Sequence, residues 1–185
     1  MGTVDVSENH SAHSEMEMEA NTPTDESIYN VSSVWKNRNG NEIELSNLQG
    51  EIQIVTMVYT HCEFACPRIL ADMKRVEKEL SQEELSDINF LIVSIDPERD
   101  TPERLKKFAG ENNLSLDNWT LLNGSQGDIL ELSALLGVKY KKISETDFTH
   151  SNMLTVLNQE GEIIHQRMKL GNDTSPILAS IRQAL

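Results

Sequence analysis

The only two cysteines of this chain, Cys62 and Cys66, stand in the run Tyr59-Thr60-His61-Cys62-Glu63-Phe64-Ala65-Cys66-Pro67, directly after the apolar stretch Ile52 to Val58. That run constrains the fold more than any other. An apolar stretch of this length reads as a buried β-strand, and proline suits the first turn of a helix, so the sulfurs are expected on a strand-to-helix loop. Residues four apart at a helix start come within about 5–6 Å at Cβ. The unpaired N–H groups of a helix N-terminus favour anions, and therefore thiolates. A paired, accessible and ionisable set of sulfurs points to redox or soft-metal chemistry.

The 185 residues are enough for one globular unit, and 38% hydrophobic content can bury a core. Net charge is −14, and residues 1–27 carry seven of the 30 acids with none of the 16 Lys and Arg. This segment lacks hydrophobic periodicity and reads as a disordered acidic tether ahead of a domain spanning 28–185. It holds His10, His13, Met16 and Met18, which are copper-ligand types, although a solvated linker with incidental His and Met is the favoured reading. With no basic stripe, nucleic acid would meet a repelling field and is excluded as a partner. No stretch reaches the roughly 20 apolar residues needed to span a bilayer, and no signal segment opens the chain. As given it reads as soluble, with an export signal or anchor ahead of it left open.

Further along, Tyr29 to Trp35, the turn Asn37-Arg38-Asn39-Gly40 and Glu42 to Leu45 read as an N-terminal β-hairpin. Ile69, Leu70, Met73, Val76 and Leu80 mark a helix from Pro67 to Leu80. A second apolar strand, Ile88 to Ile95, leads into Asp96-Pro97-Glu98-Arg99-Asp100-Thr101-Pro102. Thr101 is the expected N-cap and Pro102 the first residue of a helix reaching Asn112, and the segment reads as a turn and cap. Trp119 to Leu122 is a short strand, Ser125 to Leu136 a helix stopped by Gly137, and Val138 to Tyr140 an edge segment. Met153 to Leu157 and Glu162 to Met168 form a closing hairpin, with a last helix from Ser175-Pro176. Two βα units followed by a hairpin and a helix resemble the thioredoxin pattern: an α/β fold with a central mixed β-sheet flanked by helices.

A thioredoxin redox pair is separated by two residues, whereas three lie between Cys62 and Cys66. Thioredoxin folds also hold a cis-proline before the closing hairpin, and here His150 stands at that place. Two thiolates and an imidazole make a three-coordinate soft site, which favours copper over structural zinc because no fourth ligand is evident. A local disulfide or dithiol couple between Cys62 and Cys66 is the competing reading. His61 is a second-choice ligand that should face away from the sulfurs. His165 reads as a surface residue of a strand.

Cys62-x-x-x-Cys66-Pro67, Ser94-Ile95-Asp96-Pro97-Glu98-Arg99-Asp100-Thr101-Pro102, Trp119-Thr120-Leu121-Leu122-Asn123-Gly124 and His150 together resemble the Sco/SenC family of copper-binding assembly proteins, from about Val31 to the C-terminus. The resemblance implies a thioredoxin-like domain that binds copper, as Cu(I) or Cu(II), through Cys62, Cys66 and His150. It further implies delivery of copper, or of reducing equivalents, to the dinuclear copper centre of cytochrome c oxidase subunit II or another copper-accepting protein. Another copper chaperone or a thiol reductase would be a further partner. The location implied is extracytoplasmic and membrane-anchored, on the outer side of a bacterial cytoplasmic membrane or in mitochondria. Between the cysteines the family usually carries Pro-Asp-x, where this chain has Glu63-Phe64-Ala65. That change removes no ligand. A thiol-disulfide oxidoreductase that reduces a client's cysteines is the alternative function. A peroxidase is a third, suggested by Thr60 just before Cys62.

Overall fold

The computed structural model describes residues 24–62, 65–168, 171 and 173–185. Nearly all of the expected acidic tail, with His10, His13, Met16 and Met18, lies outside them. Nine strands are described: β1 (Val34–Asn37), β2 (Glu42–Glu44), β3 (Ile52–Val58), β4 (Ile88–Ser94), β5 (Trp119–Asn123), β6 (Tyr140–Lys142), β7 (Phe148–His150), β8 (Leu154–Leu157) and β9 (Ile163–Arg167). Five helices accompany them: α1 (Ala65–Glu79), α2 (Gln82–Leu85), α3 (Pro102–Glu111), α4 (Gln126–Leu135) and α5 (Ser175–Ala184).

Seven strands make one mixed sheet in the order β2-β1-β5-β4-β3-β8-β9. The centre is parallel, with β3 beside β4 and β4 beside β5, while β1 and β8 pair antiparallel on the two sides. Every residue of β3 and β4 is buried, as suits predominantly apolar strands in a sheet covered on both faces. Alternation along β3 divides the core. Ile52, Ile54 and Val58 pack with Ile69, Met73 and Val76 of α1, Leu105 of α3 and Ile177 and Ile181 of α5. Val55 and Met57 pack on the opposite face with Ile129 and Leu132 of α4 and with Trp35 and Leu45.

The expected N-terminal hairpin is present as β1–β2 at the sheet edge, but its first strand begins at Val34. Ile28–Asn30 is instead a turn of 3-10 helix. Tyr29 is buried there, and its hydroxyl donates to the Leu48 carbonyl at 3.1 Å. In the hairpin turn, Asn37 Oδ1 accepts from the N–H groups of Asn39 and Asn41, and Gly40 takes a φ of 81°. Thr101 caps α3 as expected, its hydroxyl accepting from the Arg104 N–H, with Pro102 inside the first turn. Ser125 caps α4, and Gly137 at φ 65° ends it. A short helix, α2, opens with a capping box between Ser81 and Glu84 and was not expected from periodicity.

Two expectations change in ways that matter for the site. Helix α1 begins at Ala65, so Cys66 sits in its first turn rather than on the loop. Val138 to Tyr140 is no edge of the main sheet: Tyr140–Lys142 pairs with Phe148–His150 in a separate two-stranded hairpin. Lys141 and Lys142 are exposed and carry no apolar alternation to signal a strand.

Gly124, which ends the Trp-Thr-Leu-Leu-Asn-Gly run, faces the Trp35 ring so closely that an added Cβ would fall 2.6 Å from its Cε3. Trp35 is fully buried. Gly124→Ala is expected to destabilise the fold by about 1–3 kcal/mol through overpacking, as read from the urea midpoint. An unchanged midpoint would mean that the indole can shift.

Candidate metal centre

The loops that leave the carboxyl ends of the parallel strands β3 and β4 meet above the sheet, where open α/β folds hold their ligands. The first carries Cys62, half-buried, and runs into α1. Cys66 in the first turn of α1 is 3% exposed. Its thiol donates to the Tyr59 carbonyl at 3.2 Å. Burial pushes this thiol well above the usual range, and the neighbouring Cys62 sulfur adds to the rise. The expected accessible, ionised pair is therefore corrected at Cys66. Desolvation outweighs the helix N-terminus, and the metal-free thiol keeps its proton.

His150, at the end of β7, closes the constellation from the other side. The sulfurs of Cys62 and Cys66 and a ring nitrogen of His150 lie within 4.8 Å of one another, and no disulfide joins the two cysteines. The ring faces Tyr59 edge-on at 5.9 Å. Its Nδ1 lies 3.3 Å from the Ser151 carbonyl, which assigns the proton to Nδ1 and leaves the Nε2 lone pair free. Nε2 is buried without a hydrogen-bond partner. Such an orphaned atom beside two thiol sulfurs fits a metal donor. Burial lowers the basicity of His150, against a smaller opposing effect of the Ser151 carbonyl, so the ring stays neutral further into the acid range than a free imidazole.

The other histidines lie elsewhere. His61 is exposed, with its Nδ1 3.5 Å from Asp100, and is not part of the cluster. His165 sits half-buried on β9.

The chain from Asp96 to Pro102 does more than turn and cap. Asp100, fully buried, accepts from the Thr60 N–H at 2.9 Å, the Thr60 hydroxyl at 2.5 Å and the Ser94 hydroxyl at 2.6 Å. It thereby clamps the chain two residues before Cys62. Arg104 donates to the same Thr60 hydroxyl at 2.9 Å. Thr60 is thus committed to Asp100 and Arg104, which weakens the peroxidase reading that rested on it. Asn123 braces the clamp by donating to the Asp100 carbonyl at 2.8 Å, so the Trp-Thr-Leu-Leu-Asn-Gly run also serves the site. Sequence reading missed this. The surplus of acid and hydroxyl groups at Ser94, Asp96 and Asp100, next to a buried strand, was the available signal.

The SCO1/SenC family model matches residues 24–185. This chain belongs to the SCO1/SenC family. It is 33% identical over 133 residues to the SCO1 protein homolog of Bacillus subtilis, covering 70% of this chain and 68% of that protein. The solved structure of BsSco, described as a member of the Sco family of cytochrome c oxidase assembly proteins with a disulfide switch, superposes with a TM-score of 0.71. It is 30% identical and covers 82% of this chain and 90% of its own. Bradyrhizobium japonicum ScoI, solved with copper bound, has the same fold at a TM-score of 0.70 and 22% identity, over 83% of this chain and 97% of its own. The Sco fold places the Cys-x-x-x-Cys loop, the Asp96–Pro102 segment and His150 at one end of the sheet. No helix among the described residues of this Sco chain is long and apolar enough to cross a membrane.

Proposed function

We propose that this chain is a copper metallochaperone that binds one copper ion through Cys62 Sγ, Cys66 Sγ and His150 Nε2. It delivers the ion by ligand exchange to the dinuclear centre of cytochrome c oxidase subunit II, or to another copper-accepting protein, during assembly. The observation that carries this reading is the buried, partnerless Nε2 of His150 beside two cysteines that no disulfide joins, a donor set suited to Cu(I) and tolerant of Cu(II). Copper held by the related ScoI supports it. The domain works on the outer side of the cytoplasmic membrane, tethered through its N-terminal side, with another copper chaperone or a thiol reductase as a further partner. This location follows from the family resemblance alone.

Titration of the reduced chain with Cu(I), with His150→Ala in parallel, tests the reading. One equivalent should bind tightly, and His150→Ala should weaken binding and remove a nitrogen scatterer from the X-ray absorption spectrum. An unchanged ligand set in His150→Ala would overturn it. Because burial keeps the Cys66 thiol protonated, loading must displace a proton, so affinity should rise with pH by roughly tenfold per unit for each proton released. A pH indicator in weak buffer measures that release directly. Copper uptake without proton release at neutral pH would mean that Cys66 is not a ligand.

A second reading, reduction of a client's disulfide by the dithiol, is favoured by the mutual reach of the two thiol sulfurs. It predicts client reduction at full rate in His150→Ala, whereas copper delivery predicts loss of client loading.

A further inference from the structure

His150 is carried by β6–β7, a hairpin outside the seven-stranded sheet, whose strands pair with each other through Tyr140↔His150, Lys141↔Thr149 and Lys142↔Phe148. The Nδ1 partner of the ring, the Ser151 carbonyl, belongs to the next residue and moves with it. Nε2 has no partner. The imidazole is therefore aimed by the placement of the hairpin and by ring packing, not by a hydrogen bond from the body of the domain. The sulfurs are held differently, by α1 and by the Asp100 clamp on Thr60.

Among the described residues, few polar links fix the hairpin beyond the hydrogen bond of the Tyr59 hydroxyl with the Phe148 backbone. Lys142 meets Glu98 at 3.2 Å, but Glu98 is 77% exposed, and such surface pairs hold geometry weakly. Gln126 reaches the Tyr140 hydroxyl at 2.9 Å at the surface. Arg99 differs from both. Its Nε donates to Asp96 Oδ2 at 2.5 Å, and that carboxylate side chain is 2% exposed. Its Nη2 donates to the Thr146 carbonyl, in the turn between β6 and β7, at 2.5 Å. The guanidinium also lies over the Tyr59 ring, 6.0 Å from its centroid. Tyr59 in turn packs on Phe148 at 5.3 Å and on His150, and its carbonyl accepts the Cys66 thiol.

We propose that Arg99 is the positioning residue that aims His150 at the cysteine pair, by tying the turn of the β6–β7 hairpin to the buried Asp96 and bracing the Tyr59 ring between the two halves of the site. The planar fork of arginine suits this role because it serves Asp96 and the Thr146 carbonyl at once. Lysine could reach one of them only. The inference rests on the three-ligand reading, and its test separates the two.

The full chain and the variants Arg99→Ala, Arg99→Lys, His150→Ala and Arg99→Ala/His150→Ala are titrated with Cu(II), followed by thiolate-to-copper absorption and electron paramagnetic resonance. A Cu(I) titration against a chromogenic chelator runs alongside. Arg99→Ala should lower Cu(II) affinity by about 10–100-fold, the usual cost of losing a group that orients a ligand, and move the resonance parameters toward those of His150→Ala. Arg99→Lys should fall between Arg99→Ala and the unaltered protein. In the His150→Ala background the Arg99 change should add almost nothing, because both act through one imidazole. Cu(I), held chiefly by the thiolates, should respond less.

Spectra and Cu(II) affinity of Arg99→Ala matching the unaltered protein, or a full-sized Arg99 effect persisting without His150, would overturn the positioning role while leaving the ligand set intact. A His150→Ala protein with unaltered Cu(II) signals would instead bring down the three-ligand reading itself. Thermal melts of the metal-free proteins check folding. Should alanine at 99 prevent folding, Arg99→Gln carries the same double-variant comparison.

Discussion

Cys62→Ala and Cys66→Ala should each weaken Cu(I) binding by more than ~1000-fold, beyond the roughly 10–100-fold that changes around a ligand cost, since each removes an anionic soft donor outright. The two variants should differ in stability. Cys62 is half-buried on a loop, and trimming it leaves little void. Cys66 is 3% exposed and packs among Val58, Ile69 and Leu70, so Cys66→Ala should cost about 1 kcal/mol or more by creating a small cavity and removing the bond to the Tyr59 carbonyl. A chelator-competition titration measures the first effect and urea unfolding of the metal-free proteins the second. Retention of near-native Cu(I) affinity by either variant would show that the ion lies elsewhere. Equal stabilities would show that the packing around Cys66 relaxes around the gap.

How much of this was legible from the chain depends on whether a residue's role is local. β3 and β4 are predominantly apolar runs, and a sheet covered on both faces accommodates Ile52 to Val58 and Ile88 to Ser94. Thr101-Pro102 and Ser125 name their helix starts through bonds that span three residues, and the structure holds both. The convergence of Cys62, Cys66 and His150 was also legible, because a thioredoxin-like order of elements brings the segment before the closing hairpin opposite the first βα loop.

Roles that depend on distant partners were hidden. Asp100 looks like a turn residue until Thr60, 40 positions earlier, is seen to spend its N–H and hydroxyl on it. Arg99 looks like part of a turn until Thr146 comes within reach of it. The strands β6 and β7 are three residues each and largely polar, so neither offers the alternation that marks a half-buried strand. Cys66 was misjudged for a related reason. Placement at a helix start predicts an ionised thiol, but the apolar side chains that desolvate it come from β3 and α1 together.

Oxidation should switch copper loading off. Cys62 and Cys66 are both thiols, their sulfurs lie within 4.8 Å, and Cys62 stands on the loop ahead of α1. A disulfide needs the sulfurs at about 2.05 Å, and the shift of a loop cysteine toward a helix cysteine supplies the approach. Incubation of the metal-free chain with oxidised glutathione should join the two sulfurs, the two thiols losing two protons and passing two electrons to glutathione, which leaves as two reduced molecules. Mass spectrometry should then show the chain two hydrogens lighter and closed to alkylation. Cu(I) titration should fall from one tight equivalent to none, because neither sulfur remains available as a thiolate, and dithiothreitol should restore the full equivalent. Bound copper should in turn slow the oxidation, since both sulfurs are then committed to the metal. One tight equivalent retained by the oxidised chain, or thiols that stay open to alkylation after long exposure to oxidised glutathione, would overturn the switch. The first result would place copper away from the cysteines. The second would mean that burial of Cys66 and the Asp100 clamp on the Cys62 loop hold the sulfurs apart.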